Sequence, residues 1–309
     1  MAFLTAVALL AVVTSVTCAL PGTFLVLRHQ SMLVDAMSHA VLPGIVVGAI
    51  ISGSTHSPLM IVAACLMGLV VVVGSDRLRA TGLIAGDADQ GLVFPVLFAL
   101  GVILLSTTLA KVHISEDTVL TGDLNLRALA PEHVLVLDGA VDLGPATMWR
   151  LLGVFVLTAA YLMACFPVLK LATFDPTTAR TLGLPVRIVD LGLMALVSLT
   201  VVVGFDTVGA VLVVALMVIP PSTAWLVARS LPQMIALSLG VAALSGLLGF
   251  WTAYVLDLAT ASTMAVVDAL VLLTVLLVVR WRGRRDSQAA SQGLGHPEDR
   301  AAARPQHIY

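Results

Sequence analysis

Long apolar runs alternate with short polar breaks along this chain, and that alternation sets the reading. About 20 consecutive apolar residues suffice for a helix to cross a bilayer. Nine such runs stand at roughly 3–27, 32–51, 57–75, 90–110, 148–172, 188–205, 208–228, 233–256 and 262–280. The sixth and seventh are parted only by Gly204, Phe205, Asp206 and Thr207. A hairpin fits there, and so does one span with a re-entrant piece, so eight spans is the alternative count. The first run has no Lys or Arg ahead of it. A cleavable signal carries positive residues there, so the run is expected to be a true membrane helix.

Composition agrees with this pattern. The chain has 309 residues, of which 59% are hydrophobic and 11% charged. Soluble domains carry about 25% charged residues. The expected fold class is therefore an all-α polytopic membrane protein. Lys and Arg then orient it, because cytoplasmic loops are enriched in both. With the N-terminus outside and nine spans, thirteen of the sixteen basic residues fall on the inner side. Lys111, Arg127 and Arg150 remain outside. This predicts an extracytoplasmic N-terminus and a cytoplasmic C-terminus. The membrane domain is expected over 1–285. Residues 286–309 change to Ser, Gln, Gly, Arg, Pro and Ala, and are expected to form a disordered cytoplasmic tail. A net charge of −2 provides no basic field for nucleic acid. Cys18, Cys65 and Cys165 lie in apolar runs without CxxC spacing, which suits small buried residues rather than a disulfide or zinc site.

Against this apolar background a few residues carry chemistry. Asp35 and His39 sit four apart inside the second run, so a helix stacks them one turn apart on one face. An ionisable residue in a span costs roughly 2.5–3.5 kcal/mol on insertion scales and needs a partner or a function. Carboxylate plus imidazole is a ligand set for Mn, Zn or Fe(II). Two ligands hold a metal loosely, which suits an ion that must leave again. The bland reading is a structural pair fixing the helix near the interface. Ser38 could add an oxygen. Asp268, in the last run, is a possible additional intramembrane polar site, while Asp206 is read as interfacial. Gly44 and Gly48 form a small-xxx-small pair that admits a close helix neighbour.

Two connections also stand out. The segment 111–148 is acidic and carries His113 and His133, reading as a solvated loop or a docking surface for an outside partner. In TFDPTTARTLGLPVRI, Asp175 and Pro176 read as N-cap and first helical residue, and Gly183 with Pro185 ends the helix. A short cytoplasmic helix is expected there. The chain has no GxxxxGK[ST], no HExxH and no GxSxG. No enzymatic activity is expected of it, and no ATPase of its own.

Three stretches together resemble a known family. FLVLRHQSMLVDAMSHAVLPGIVVG is similar to the D-A-x-S-H-A-x-L-P-G signature, preceded by a shared Arg, of the permeases of bacterial ABC importers for manganese, zinc and iron. FDPTTARTLGLPVRIVD resembles that family's coupling segment, and VGAVLVVALMVIPPSTAWLVA its third conserved stretch. TVLTGDLNLRALAPEH and DLGPATMWRLL resemble the branch with a longer outside loop. Pro221, where the family usually has Ala, and Asp268 depart from the pattern.

The resemblance implies a type II importer-like permease in the bacterial cytoplasmic membrane, surrounded by lipid. It implies a cytoplasmic ATP-binding subunit, an extracytoplasmic metal-binding protein, and a second permease subunit, identical or paralogous. Asp35 and His39 would contact the transported Mn, Zn or Fe, with no tightly bound cofactor. Asp175, Pro176, Ala179, Arg180 and Gly183 would couple to the ATPase. The rival reading is a self-sufficient, proton-coupled carrier in which Asp35, His39 and Asp268 relay protons. Such carriers often contain inverted repeats, and no convincing internal repeat is visible.

Overall fold

A computed structural model describes residues 3–52, 58–82, 88–108 and 146–293, with short pieces at 124, 136–137 and 141–142. The helices are α1 (Phe3–Leu27), α2 (Ser31–Ser52), α3 (Pro58–Ala80), α4 (Ala88–Thr108), α5 (Ala146–Phe174), α6 (Pro176–Thr181), α7 (Val186–Val208), α8 (Ala210–Trp225), α9 (Leu231–Leu256) and α10 (Thr260–Gly293). Two short strands, β1 (Val136–Leu137) and β2 (Val141–Asp142), pair antiparallel between α4 and α5. Most of the acidic 111–148 segment, including His113 and His133, lies outside the described residues.

Over their described residues, the nine apolar runs are mainly helical. Among the described residues, seven helices are long and apolar enough to cross a membrane: α1, α2, α3, α5, α7, α9 and α10. The apolar helical pieces Gly91–Thr107 and Ala210–Trp225 are shorter. Helices prevail because hydrocarbon offers backbone N–H and C=O groups no partners, and a helix satisfies them internally. Polar side chains inside the spans follow the same rule. Thr14, Ser15, Thr17 and Thr23 donate back to the carbonyls of Leu10, Ala11, Val13 and Ala19, four residues earlier.

The boundary between the sixth and seventh runs differs from the expected one. Gly204 to Thr207 is helical, and α7 ends only at Val208. The break is Gly209, at φ 83° and ψ 166°, a backbone region open chiefly to glycine. A Cβ on Gly204 would lie 3.0 Å from a methyl of Val213. Along one straight helix those positions would be about 13 Å apart. The chain therefore turns sharply at Gly209. The last helix also runs on past the expected edge of the tail, through Gly293; residues 294–309 lie outside the described set.

Helix α1 is central, packing on α5, α7, α8 and α9. Helix α2 packs on α3, α4, α7 and α8, and is the most enclosed span. Its small residues explain how. A Cβ on Gly44 would collide with the α3 backbone at Ala64, and one on Gly48 would lie 2.7 Å from Met60 Cα. On another face, Gly101 of α4 lies against Pro43. The close approach expected from the small-xxx-small pair is thus made by α3.

Candidate functional site: a carboxylate–imidazole pair and a capped helix at one end of the bundle

Asp35 lies about 6 Å, and His39 about 12 Å, along the axis from the first residue of α2. His39 Nε2 stands 3.7 Å from Asp35 Oδ1, an i,i+4 pairing on one helix face. The two side chains are 37% and 48% exposed, respectively, whereas Leu33, Val34, Ala36, Met37 and Ala40 around them are buried. Helix α4 sets the imidazole: Phe94 stacks on it with centroids 5.3 Å apart, and Phe98 meets it edge-on at 5.8 Å. Since Gly101 packs on Pro43 and Phe94 and Phe98 on His39, α4 runs parallel to α2. Neither phenylalanine was distinguishable in its apolar run.

Ser38 is buried, and its hydroxyl donates to the Asp35 carbonyl at 2.7 Å. Among the described residues, no cluster of three or more His, Cys, Asp or Glu forms. Among these groups the pair offers two potential donors, a carboxylate and an imidazole.

Asp268 is not brought to this pair. Helix α10 packs on α8 and α9, and α8 touches both α10 and α2. Asp268 is 1% exposed, and neither carboxylate oxygen has a hydrogen-bond partner.

The segment between α5 and α7 forms the expected capped helix. Asp175 is the N-cap of α6: its Oδ1 accepts from the Thr178 N–H at 2.9 Å, with Pro176 at the first turn. Hydrogen bonds from Thr178, side chain first and backbone second, hold the Asp175 carboxyl below its ordinary value. Gly183 ends the helix at φ 70°. There Gly183 N–H donates to Arg180 O at 3.0 Å, and Leu184 N–H to Ala179 O at 3.2 Å. Ala179 is fully buried against the bundle, while Thr177, Arg180 and Leu182 face outward.

Sequence reasoning missed what ties the flanks of the segment to the α1–α2 turn. Arg28, just past α1, lies at the same end of the bundle. Its Nε donates to Thr173 Oγ1 at 3.1 Å, at the end of α5. Thr173 spends its own proton on the Leu169 carbonyl at 2.7 Å, so its oxygen is free to accept. Arg28 Nη1 also stands 2.8 Å from Asp190 Oδ1 in the first turns of α7. That approach is an ion pair rather than a linear hydrogen bond, because Asp190 Oδ1 and Arg28 Nη2 both lack hydrogen-bond partners. One guanidinium thus grips both flanks of α6. Tyr161 adds a second tie, donating to the Val189 carbonyl at 2.8 Å from α5. The available signal was the lone Arg beside the second run and the Asp closing LPVRIVD.

The chain is similar to several transport-system membrane proteins. The manganese transport system membrane protein MntD of Bacillus subtilis (strain 168) is 40% identical over 254 residues, covering 82% of this chain and 84% of that protein. The zinc transport system membrane protein TroD of Treponema pallidum (strain Nichols) is 43% identical over 215 residues, covering 69% of this chain and 57% of that protein. Among solved structures, PsaBC from Streptococcus pneumoniae in complex with Fab superposes with a TM-score of 0.71 at 28% identity, covering 89% of this chain and 91% of that one. The profile of the ABC 3 transport family matches residues 1–279. With its apolar helices and this breadth of match, the chain is a multi-pass membrane protein belonging to the ABC 3 transport family.

Proposed function

We propose that this chain is the permease subunit of an ATP-driven importer for a divalent transition metal, Mn, Zn or Fe, in the bacterial cytoplasmic membrane. The observation that carries the reading is the Asp35–His39 pair. It is polar, half-exposed and set in the most enclosed span. Lipid is a poor neighbour for a carboxylate, so the open face of the pair points to a path rather than to hydrocarbon. A second permease, identical or paralogous, completes that path and supplies further donors. An extracytoplasmic binding protein delivers the metal. A separate cytoplasmic ATPase docks on the segment from Asp175 to Gly183, through the exposed Pro176 and Arg180, while the buried Ala179 seats the segment on the bundle.

Nine crossings with the N-terminus outside fit this role. The two shorter apolar helices, of 17 and 16 residues, span about 25 Å each, close to the thickness of thin bilayers. The basic asymmetry sets the orientation. The alternating cycle follows from the connections of Arg28. Closure of the ATPases displaces α6, Arg28 carries the displacement to the α1–α2 turn, and the start of α2 moves with it. A proton-coupled carrier relaying through Asp35, His39 and Asp268 is disfavoured, because the three form no cluster among the described residues.

The experiment is uptake by proteoliposomes holding the complete complex, with Mn, Zn and Fe(II) in competition. Asp35→Ala and His39→Ala are each expected to abolish uptake with the complex still assembled. Normal uptake in both variants would remove the metal role. Uptake driven by a proton gradient with the permease alone would establish the rival mechanism.

A further inference from the structure

A cleft of about 980 Å3 opens beside Arg28, between the α1–α2 turn, the end of α3 and the start of α7. Five arginines line it: Arg28, Arg77, Arg79, Arg180 and Arg187. Asp76 and Asp190 are the lining carboxylates, so the wall carries a positive excess. Asp190 is already engaged by Arg28. Among the described residues, Arg77, Arg180 and Arg187 take part in no ion pair.

The floor is polar and unsatisfied. Ser75 is 3% exposed, and its Oγ has no hydrogen-bond partner. Gln30 Oε1 and Arg28 Nη2 are in the same condition. Three of the cleft's polar side chains therefore hold hydrogen-bonding capacity that the protein does not use, and buried polar groups normally find a partner. One side of the cleft is apolar instead: Val73, Ile188 and Leu191 line it and are exposed.

A positive mouth, a polar floor and an apolar flank at one end of a membrane bundle describe an amphiphilic anion. We infer that this cleft binds the headgroup of an anionic glycerophospholipid of the phosphatidylglycerol class. Its phosphodiester meets Arg77 and Arg187, beside Arg180. Its glycerol hydroxyls reach Ser75 and Gln30, and its acyl chains lie along Val73, Ile188 and Leu191. Basic pockets between spans at an interface bind such headgroups through this combination. The binding does not depend on the transport reading. Its consequence does: Arg180 belongs to the coupling segment and Arg28 grips its flanks, so the lipid would steady the element that an ATPase moves.

The test is native mass spectrometry of the full-length chain in its complex, released from nanodiscs of phosphatidylcholine doped with phosphatidylglycerol. The wild type is expected to retain phosphatidylglycerol over phosphatidylcholine. The double variant Arg77→Gln, Arg187→Gln is expected to weaken that retention about 25-fold, about fivefold for each arginine. Both residues are exposed, and Arg77→Lys with Arg187→Lys should restore retention, which separates charge from misfolding. Ser75→Ala should lower the preference for phosphatidylglycerol over phosphatidic acid. Equal retention of phosphatidylglycerol and phosphatidylcholine by wild type, or full retention by the double glutamine variant, overturns the proposal. Displacement of the lipid by millimolar inorganic phosphate makes the cleft a free-anion site and also overturns it. So does unchanged retention combined with loss of ATPase-subunit binding, which assigns the cleft to that subunit.

Discussion

Removing the Arg28 grip should separate ATP hydrolysis from transport, and the structure sets the size of the effect. The guanidinium is 11% exposed, and Asp190, 2.8 Å away, is 37% exposed. Exposed pairs contribute about 0.2–1 kcal/mol, and breaking a fully buried pair costs about 3–5 kcal/mol. This pair lies between the two, so its coupling should be about 1–2 kcal/mol. Arg28 also donates to Thr173 at 3.1 Å, a charge-assisted bond that adds about 1.5 kcal/mol or more. Arg28→Met should therefore destabilise by about 2–4 kcal/mol, and Asp190→Asn by about 1–2 kcal/mol. The double variant should fall short of the sum by the coupling term. Reversible unfolding in mixed micelles measures all three stabilities. Proteoliposomes holding the complete complex then give ATPase rate and metal uptake together. The expected outcome is a large fall in metal moved per ATP for Arg28→Met, with ATPase binding retained. Effects that add within about 0.5 kcal/mol would show that the two side chains do not interact. Unchanged metal moved per ATP would show that the contact is only a brace.

Three further outcomes follow from other residues. Gly183 adopts φ 70°, and a Cβ there would meet nothing within 4 Å, so substitution costs backbone strain rather than a clash. Gly183→Val should distort the end of α6 at about 1–2 kcal/mol and weaken ATPase docking, while Gly183→Asn, which tolerates that region, should be mild; equal binding by both would reduce the segment to a connector. The lowered Asp175 value means that its cap is present above the ordinary carboxylate value of 3.8 and is lost as pH falls through the lowered folded value. Amide exchange at Thr178, compared with Asp175→Asn, should lose its protection only below that point, and protection flat across the window would contradict the assignment. Asp268→Asn removes a carboxyl with two unpartnered oxygens, and uptake should stay within about twofold, because the site is apart from the path. A tenfold loss would place Asp268 in the mechanism.

The parts that were legible in sequence are those governed by local physics. Apolar length marked the spans, Asp175-Pro176 marked the start of α6, and Gly183 marked its end, because each signal is contained in a few neighbouring residues. The missed parts are long-range or ambiguous. Arg28 lies in the turn after α1 and Asp190 in α7, and nothing in either stretch announces the other. Phe94 and Phe98 are ordinary members of an apolar run until α4 lays them on His39. Gly204 and Gly209 look alike in sequence, yet one admits a close approach by Val213 and the other takes the positive φ that breaks the chain. The last helix outran its expected edge because Arg, Gln and Ala, which suggested a tail, are also good helix formers.

Asp35 is in the second turn of α2. Helix α2 is 22 residues long, about 33 Å, so His39 lies within about 4 Å of its middle and Asp35 about one turn nearer the end that holds Arg28. The pair thus bridges two levels: an imidazole near mid-helix, held by aromatic rings, and a carboxylate toward the coupling segment. Burial around α2 sharpens the point. Its small and apolar residues are packed on α3 and α4, and the polar stripe through Asp35 and His39 is left partly open. A protein that packs one span this tightly and still leaves a carboxylate uncovered incurs a cost that lipid would make worse. On the proposed function, a second subunit across that stripe would remove the cost and supply the donors that two side chains lack. Incomplete coordination and incomplete burial would then share one cause, a path formed between two permeases.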